Sequence, residues 1–267
     1  MADYYNSIPL KHFAATVADC MGISLGDGYA PPIKWVSEPL KERLGGNADR
    51  VVLYHADAVG LYMWQKYTEI FAPVYKHTSI AVPFVSTVTS VTPVAHASMY
   101  TGKDPEEHGI QTYTRPKLTC ETLYDRLIAE GKKIAIIAMD DSSFLHIFAG
   151  RELDYYVTDR KPETIKQKAL ELIERDEYDL ISIHTFAYDS AAHAHGPESE
   201  SAIKTLEAEA ENFDIIAKAL EQYKGKHRIL LSYSPDHGQH LVEEKGKGRH
   251  GSSLIEDMNV LHFYGIV

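Results

Sequence analysis

Apolar residues occur along this chain in two patterns, as short unbroken runs and as longer stretches with helical spacing. Unbroken runs are typical of strands that are buried on both faces. They occur at 50–57, 78–85, 133–139, 178–184, 228–233 and 260–266, with a shorter run at 153–157. Helical spacing is clearest at 162–175, where Ile165, Ala169, Leu172 and Ile173 share one side, and helices are also predicted at 58–70, 119–130 and 198–223. Strands that alternate with helices predict an α/β fold with a mostly parallel central sheet sandwiched by helices.

The first fifty residues carry weaker patterns. An amphipathic helix is predicted at 7–20, with Ile8, Leu10, Phe13 and Val17 on its apolar face, and a second short helix at 35–44. Neither a repeat nor a linker divides the chain. We therefore expect a single domain over residues 1–267, with 1–49 as an N-terminal extension packed on the core.

Composition and charge narrow the class of protein. A hydrophobic content of 44% with 24% charged residues is ordinary for a soluble globular chain. The net charge of -11 argues against a nucleic-acid polymer as partner, but bound divalent cations would still admit a small phosphorylated substrate. The chain opens without a secretory pattern and has no apolar run of the roughly 18 residues that a membrane span needs. A cytoplasmic protein without a membrane partner is the expectation, and the oligomeric state stays open.

A stretch of small and hydroxyl residues leads into a predicted helix at Thr92-Pro93. Proline suits the first helical position because it has no N–H group to lose there. Thr92 is therefore expected at the N-cap, where free backbone N–H groups and the helix dipole favour an anion. From these residues alone, a simple capping role is the commoner interpretation.

Potential metal ligands follow three of the predicted strands. Asp57 ends the run at 50–57, Asp189 and His193 follow the run at 178–184, and Asp236 and His237 follow the run at 228–233. His250 lies in a later loop that could reach them. Mixed aspartate and histidine ligands suit zinc, manganese or iron better than calcium, which prefers oxygen alone. Each pair is common by chance, and Asp57 could equally be a helix cap.

Taken together and in order, these segments resemble a known family. VVLYHADAVG, TPVAHASMYTGKDPEEHGI, DSAAHAHGP, SPDHGQ and RHGSS are similar to the motifs of the type I phosphodiesterase/nucleotide pyrophosphatase branch of the alkaline phosphatase superfamily, from about residue 50 to the C-terminus. The resemblance implies hydrolysis of a phosphodiester or nucleotide pyrophosphate through a covalent phospho-threonine at Thr92. It also implies two divalent cations, for which zinc is the expectation. Asp57, Thr92, Asp236 and His237 would surround one, and Asp189, His193 and His250 would hold the other.

Two departures from the family pattern leave alternatives open. Pro93 follows the nucleophile directly rather than two residues later, and Tyr113 occupies the position where family diesterases commonly have a phosphate-contacting asparagine. Tyr113 and the nearby Arg115 are therefore the expected substrate-binding residues. A phosphomonoesterase of the same superfamily remains an alternative, as does a protein that binds a phosphorylated ligand through metal without turnover. His96 is expected beside the site rather than as a ligand, and the roles of His195 and His240 stay open.

Overall fold

The computed structural model describes residues 4–267 and contains a central eight-stranded sheet. Its strands are β1 (Ile8–Pro9), β2 (Arg50–Ala56), β3 (Ile80–Val85), β4 (Ile134–Met139), β5 (Asp154–Thr158), β6 (Leu180–Thr185), β7 (Ile229–Tyr233) and β10 (Asn259–Ile266). Their order across the sheet is β1-β3-β10-β7-β2-β6-β4-β5. Two further strands, β8 (His240–Val242) and β9 (Lys247–Arg249), pair with each other as an antiparallel hairpin outside this sheet.

The sheet is mostly parallel, which confirms the predicted α/β class. Strands β7, β2, β6, β4 and β5 run parallel, and Tyr54 of β2 lies opposite Tyr233 on one side and Ile183 on the other. The exception is β10, which is antiparallel to both β3 and β7. Segment 234–258 contains no long crossover helix that could return the chain to the opposite edge of the sheet. The chain therefore re-enters the sheet from the edge where β7 ended, and an antiparallel strand results.

Helices cover both faces of the sheet. They are α1 (Phe13–Cys20), α2 (Lys34–Leu44), α3 (Leu61–Lys66), α4 (Ala72–Tyr75), α5 (Thr92–Thr101), α6 (Pro105–His108), α7 (Leu123–Ala129), α8 (Ser143–Phe148), α9 (Pro162–Arg175), α10 (Ala187–His195), α11 (Glu200–Leu220) and α12 (Ile255–Met258). No helix within residues 4–267 is both long enough and apolar enough to cross a membrane.

Two hydrophobic clusters, one on each face, explain the unbroken apolar runs. Val51 and Leu53 of β2 belong to the cluster under α1, α2, α5 and α7, whereas Val52 and Tyr54 belong to the cluster under α9 and α11. Successive strand residues point to opposite faces, so a strand covered on both sides needs apolar residues at every position.

The N-terminal helix prediction was wrong at its start. Ile8 and Pro9 are extended and pair with β3, a single 3-10 turn follows at Leu10–His12, and α1 begins only at Phe13. Pro9 has no N–H group for a helix ladder, but an edge strand tolerates it. The helix predicted at 58–70 is also interrupted, because α3 ends at Lys66 and a 3-10 turn occupies Thr68–Phe71.

Candidate active site

The site lies where three neighbouring parallel strands end. Strands β7, β2 and β6 are adjacent, and their carboxyl ends meet at one edge of the sheet. Asp57 follows β2 directly, Asp236 and His237 follow β7, and α10 after β6 carries Asp189 and His193. This edge is where open α/β sheets place their ligands.

A first group combines Asp57, Asp236 and His237. The His237 Nε2 atom lies 3.4 Å from Asp57 Oδ1 and 3.5 Å from Asp236 Oδ2, and all three side chains are buried. The hydroxyl of Thr92 lies 3.3 Å from Asp57 Oδ2 and 3.4 Å from His237 Nε2. The structure thus brings together the four residues that the resemblance assigns to one cation.

A second group combines Asp189, His193 and His250. His193 Nε2 lies 3.3 Å from Asp189 Oδ1 and 3.0 Å from His250 Nε2, and His250 Nε2 lies 3.5 Å from the same carboxylate oxygen. Asp189 and His193 are four residues apart on α10, which places both on one side of the helix. These are the three residues that the resemblance assigns to the other cation.

The three histidines of these groups are oriented through their other ring nitrogen. The Nδ1 atoms of His193, His237 and His250 lie 3.0, 3.0 and 3.1 Å from the carbonyl oxygens of Gly248, Gly238 and Ser90. A carbonyl oxygen accepts only from a protonated nitrogen, so in the neutral tautomer that these contacts favour each Nε2 has a lone pair directed into its group. This is the arrangement found around histidines that bind metals in proteins.

The donor atoms fit divalent cations. Asp57 Oδ1 and Asp236 Oδ2 are buried and have no hydrogen-bond partner among the described residues. A buried carboxylate oxygen without a donor is costly, and a bound cation would compensate for it. In each group the ligand atoms of the three carboxylate and imidazole side chains lie within 4.8 Å of one another. Nitrogen and oxygen donors of this kind suit zinc, manganese or iron.

Burial and like charge dominate the electrostatics of the first group. Burial raises the pKa of Asp57 well above its ordinary value, and the carboxylates of Asp236 and Asp189 raise it further. Burial also raises the pKa of Asp236 to about 7. Burial lowers the pKa of His237 below its ordinary value and that of His250 to about 4. Both imidazoles are thus neutral near pH 7 and able to act as ligands, whereas the raised pKa values of Asp57 and Asp236 favour protonated carboxyl groups until a cation displaces the protons.

Helix α5 presents Thr92 at its N-terminus, one position from where the sequence predicted it. Val91 is the N-cap, with extended backbone (φ -136°, ψ 148°), and Thr92 is the first helical residue. The carbonyl of Val91 accepts from Val94 and Ala95, while the N–H of Thr92 has no acceptor among residues 4–267. One backbone donor therefore remains available beside the hydroxyl.

A cavity of about 650 Å³ opens above both groups. Its lining includes Asp57, Thr92, Tyr113, Met139, Asp141, His184, Phe186, Asp189, His193, Lys245, Lys247, Arg249 and His250. Tyr113 therefore lies where a substrate would contact it. Arg115 does not line the cavity, because its guanidinium donates to the backbone oxygen and the carboxylate of Asp141 at 2.7 and 2.9 Å. Direct substrate binding by Arg115 stays a prediction without geometric support.

Several residues of this site were missed by sequence reasoning. Gln239 donates to Asp189 Oδ1 at 2.8 Å, and His184 Nε2 lies 3.3 Å from Asp57 Oδ2. The signal for His184 was its place at the end of a buried strand, but only the strand order shows that β6 adjoins β2. Gln239 follows directly after His237-Gly238, and nothing in its residue type indicated a contact with α10.

Among the other histidines, His96 lies beside the first group without joining it. Its Nε2 atom is 3.5 Å from Asp236 Oδ2, and its ring packs edge-on against Phe144. His240 accompanies Asp257, whose carboxylate lies 2.8 Å from His240 Nδ1 and accepts from the backbone N–H of Ser252 at 3.0 Å. Asp257 thereby holds the loop that carries His250.

Three solved structures share this fold. Murine ectonucleotide pyrophosphatase/phosphodiesterase 5 aligns at 15% identity with a TM-score of 0.58, covering 72% of this chain and 58% of the murine chain. An inactive threonine-to-alanine variant of the murine protein in complex with AMP aligns at 14% identity with a TM-score of 0.57, covering 72% and 58%. Phosphonoacetate hydrolase from Sinorhizobium meliloti 1021, in complex with phosphonoformate, aligns at 12% identity with a TM-score of 0.51, covering 72% and 57%. At these identities the likeness shows the fold alone.

The family is shown by the sequence. The chain matches no curated protein. The family model of type I phosphodiesterase/nucleotide pyrophosphatase matches residues 60–264, which is most of the chain and includes Thr92, the second ligand group and the Asp236-His237 pair. The chain therefore belongs to the type I phosphodiesterase/nucleotide pyrophosphatase family.

Proposed function

We propose that this protein is a two-metal phosphohydrolase that cleaves a phosphodiester or pyrophosphate through a covalent phospho-threonine at Thr92. The observation that carries the proposal is the position of one hydroxyl group. Thr92 Oγ1 lies within 3.4 Å of both Asp57 and His237, at a helix N-terminus, and lines the same cavity as the second ligand group. A protein that only binds metal and ligand has no need of a hydroxyl there.

Asp57, Asp236 and His237, with the oxygen of Thr92, would hold one cation, and Asp189, His193 and His250 would hold the other. Zinc is the metal that we propose, although manganese and iron accept the same ligands. Two such cations would lower the pKa of the threonine hydroxyl and stabilise the entering and leaving oxygens of a phosphoryl group.

The protein's own groups account for the remaining parts of the reaction. Thr92 Oγ1 forms a bond to phosphorus, its proton leaves through the hydrogen bond to Asp57 Oδ2, and the bond from phosphorus to the leaving oxygen breaks with its electron pair. A water molecule then attacks the phosphorus of the phospho-threonine and loses a proton. The bond to Oγ1 breaks, and Oγ1 takes back the proton from Asp57 to restore the hydroxyl. The free N–H of Thr92 and the dipole of α5 would stabilise the negative charge on the phosphoryl oxygens.

A small phosphorylated compound is the substrate class that fits. The cavity of about 650 Å³ has the volume of a small-molecule site, and Tyr113 offers a hydroxyl and an aromatic face at its edge. The AMP complex of the murine relative supports a nucleotide-sized ligand, and the family match supports phosphoester hydrolysis. The aligned part of this chain spans 58% of the murine protein, so the substrates of the murine protein are not assigned to this chain. The cytoplasmic location stays a prediction.

The test compares hydrolysis of bis-p-nitrophenyl phosphate and p-nitrophenyl phosphate with added zinc or manganese and with EDTA. We expect metal-dependent turnover that prefers the diester. Preference for the monoester would favour the phosphomonoesterase alternative. The Thr92→Ala variant should lose at least about a thousandfold in kcat, as removal of a covalent nucleophile does.

Metal content decides between catalysis and binding. Because six other ligand side chains remain, Thr92→Ala should retain both metal ions, measured by elemental analysis after dialysis. Thr89→Ala is the matched control, since the Thr89 hydroxyl donates to the carbonyl of Gln111 and lies outside the cavity lining. If Thr92→Ala hydrolyses the diester as fast as Thr89→Ala does, the covalent mechanism is wrong. If the metal-loaded protein turns over neither ester, a binding protein becomes the better description.

A further inference from the structure

Three cationic side chains lie on one wall of the cavity. Lys245, Lys247 and Arg249 belong to the β8–β9 hairpin, are exposed, and line the same cavity as Thr92. Lys247 and Arg249 are two residues apart on β9, so their side chains project from the same face of that strand. We call these three residues the cationic hairpin.

The cationic hairpin has no acidic partner in the part of the chain that the structure describes. None of its three side chains makes an ion pair within 4.0 Å or a hydrogen bond, although Glu243 and Glu244 are exposed on the same turn. Arg115, by contrast, is neutralised by Asp141 across the cavity. The chain as a whole has a net charge of -11. The three neighbouring cations nevertheless repel one another, and a bound anion would reduce that repulsion.

The hairpin is held against the second ligand group. Gly248, between Lys247 and Arg249, is buried, and its carbonyl oxygen lies 3.0 Å from His193 Nδ1. A Cβ atom at Gly248 would lie 2.0 Å from Gln239 Oε1 and 2.6 Å from the carbonyl oxygen of Ala192, so only glycine permits this approach. The cations on either side therefore have a fixed place relative to the metal ligands.

We propose that the cationic hairpin is a substrate subsite for a second anionic group, a phosphate or a carboxylate, on the molecule whose phosphoryl group reacts at Thr92. This inference rests on the proposed function and deepens it. The metal groups would bind the reacting phosphoryl, while Lys245, Lys247 and Arg249 select substrates that carry further negative charge within the same cavity. A diester with neutral substituents would contact the metal groups but not the cationic hairpin.

Binding of three anions tests the subsite by calorimetry on zinc-loaded protein that has been dialysed to remove free zinc, which pyrophosphate would chelate. Every sample carries Thr92→Ala, so that pyrophosphate is bound without being cleaved. Inorganic phosphate carries one anionic group, pyrophosphate adds a second phosphate, and phosphonoacetate adds a carboxylate. We expect the second group to tighten binding at least about tenfold over phosphate when the hairpin is unchanged. Lys247→Gln should reduce that advantage about threefold, and the double variant Lys247→Gln/Arg249→Gln should reduce it about tenfold, because each substitution removes a charge-assisted hydrogen bond. Lys247→Arg, which keeps the positive charge, should retain the advantage of the second anionic group.

The control is Lys224→Gln, which removes an exposed lysine that precedes β7 at the other edge of the sheet and should leave the affinity ratios unchanged. Loss of the advantage for pyrophosphate alone would assign the subsite to a second phosphate, and loss for phosphonoacetate alone to a carboxylate. Affinity ratios that are equal for the unchanged hairpin, Lys247→Gln and Lys224→Gln would overturn the inference. Because calorimetry needs no turnover, that outcome is separate from failure of ester hydrolysis, which would overturn the proposed function.

Discussion

Gln239 offers a sharp test of how the second ligand group is organised. Its side chain is fully buried, and its Nε2 atom donates to Asp189 Oδ1 at 2.8 Å. Its Oε1 atom is also buried and has no hydrogen-bond partner among the described residues. Substitution Gln239→Met keeps the length of the side chain but removes both the donor and the unpaired acceptor.

These two changes have opposite effects on stability. Loss of a hydrogen bond to a carboxylate costs about 1.5–3 kcal/mol, whereas removing a buried unpaired carbonyl recovers about 1–3 kcal/mol. The free energy of unfolding of the metal-free protein should therefore change by less than about 2 kcal/mol. Metal affinity should respond more strongly, because Asp189 would no longer be held in one orientation. Loss of such a partner typically weakens metal binding about 10- to 100-fold.

The assay is zinc titration with a competing chelator, together with urea unfolding of the metal-free protein. We expect one of the two zinc ions to bind about 10- to 100-fold more weakly in Gln239→Met, with unfolding little changed. Gln167→Met, an exposed substitution on α9, is the control. The reasoning is refuted if Gln239→Met binds both zinc ions as tightly as Gln167→Met. A loss of several kcal/mol in unfolding with unchanged affinity would assign Gln239 a packing role.

Two further substitutions test the first ligand group. The pKa of Asp236 is raised to about 7 from an unfolded value of 3.8, so its contribution to stability is present below pH 3.8 and is lost as the pH rises through 7. Asp236→Asn should therefore raise the free energy of unfolding of the metal-free protein at pH 8, by at most about 4 kcal/mol, and the gain should shrink as the pH falls toward 4. It should also reduce stabilisation by zinc, because one of the two ligand groups loses a carboxylate. A variant that is less stable than wild type at pH 8 without metal would contradict the pKa argument. Gly238→Ala would place a Cβ atom 1.9 Å from the carbonyl oxygen of Glu256, so we expect a loss of at least about 2 kcal/mol in chemical denaturation and weaker metal binding at His237. Unchanged denaturation would show that the backbone at Glu256 can move aside.

Local sequence patterns predicted most of the sheet. The runs at 50–57, 133–139 and 228–233 each contain a strand within one or two residues of the expected ends, and α9 spans Pro162–Arg175 as predicted. These patterns succeed because a buried strand needs apolar residues on both faces, and a surface helix needs one apolar side. Each pattern can be recognised within the sequence of the segment itself. They failed at Ile8–Pro9, where pairing with a strand more than seventy residues away decides the conformation.

The direction of β10 and the contacts of Gln239 belong to the tertiary structure. The sequence at 259–266 predicts a strand but carries no information about its direction, which depends on the edge from which the chain returns. Gln239 approaches Asp189 only because β7 ends and α10 begins at the same edge of the sheet. The sequence also did not show that the cationic hairpin lines the same cavity as Thr92, which depends on the folded position of β9.

The sequence by itself determined the fold class and the family and supplied the candidate ligand residues, because these depend on residue type and order. Only the tertiary structure decided the distances within the two groups that the resemblance implied, and which unpredicted neighbours orient their side chains. Asp57, Thr92, Asp189, Asp236 and His250 are separated by tens of residues, and their meeting depends on strand order and on the loops that follow β2, β6 and β7. Distances of a few ångströms between such residues arise from the packing of the whole sheet, which no local pattern contains.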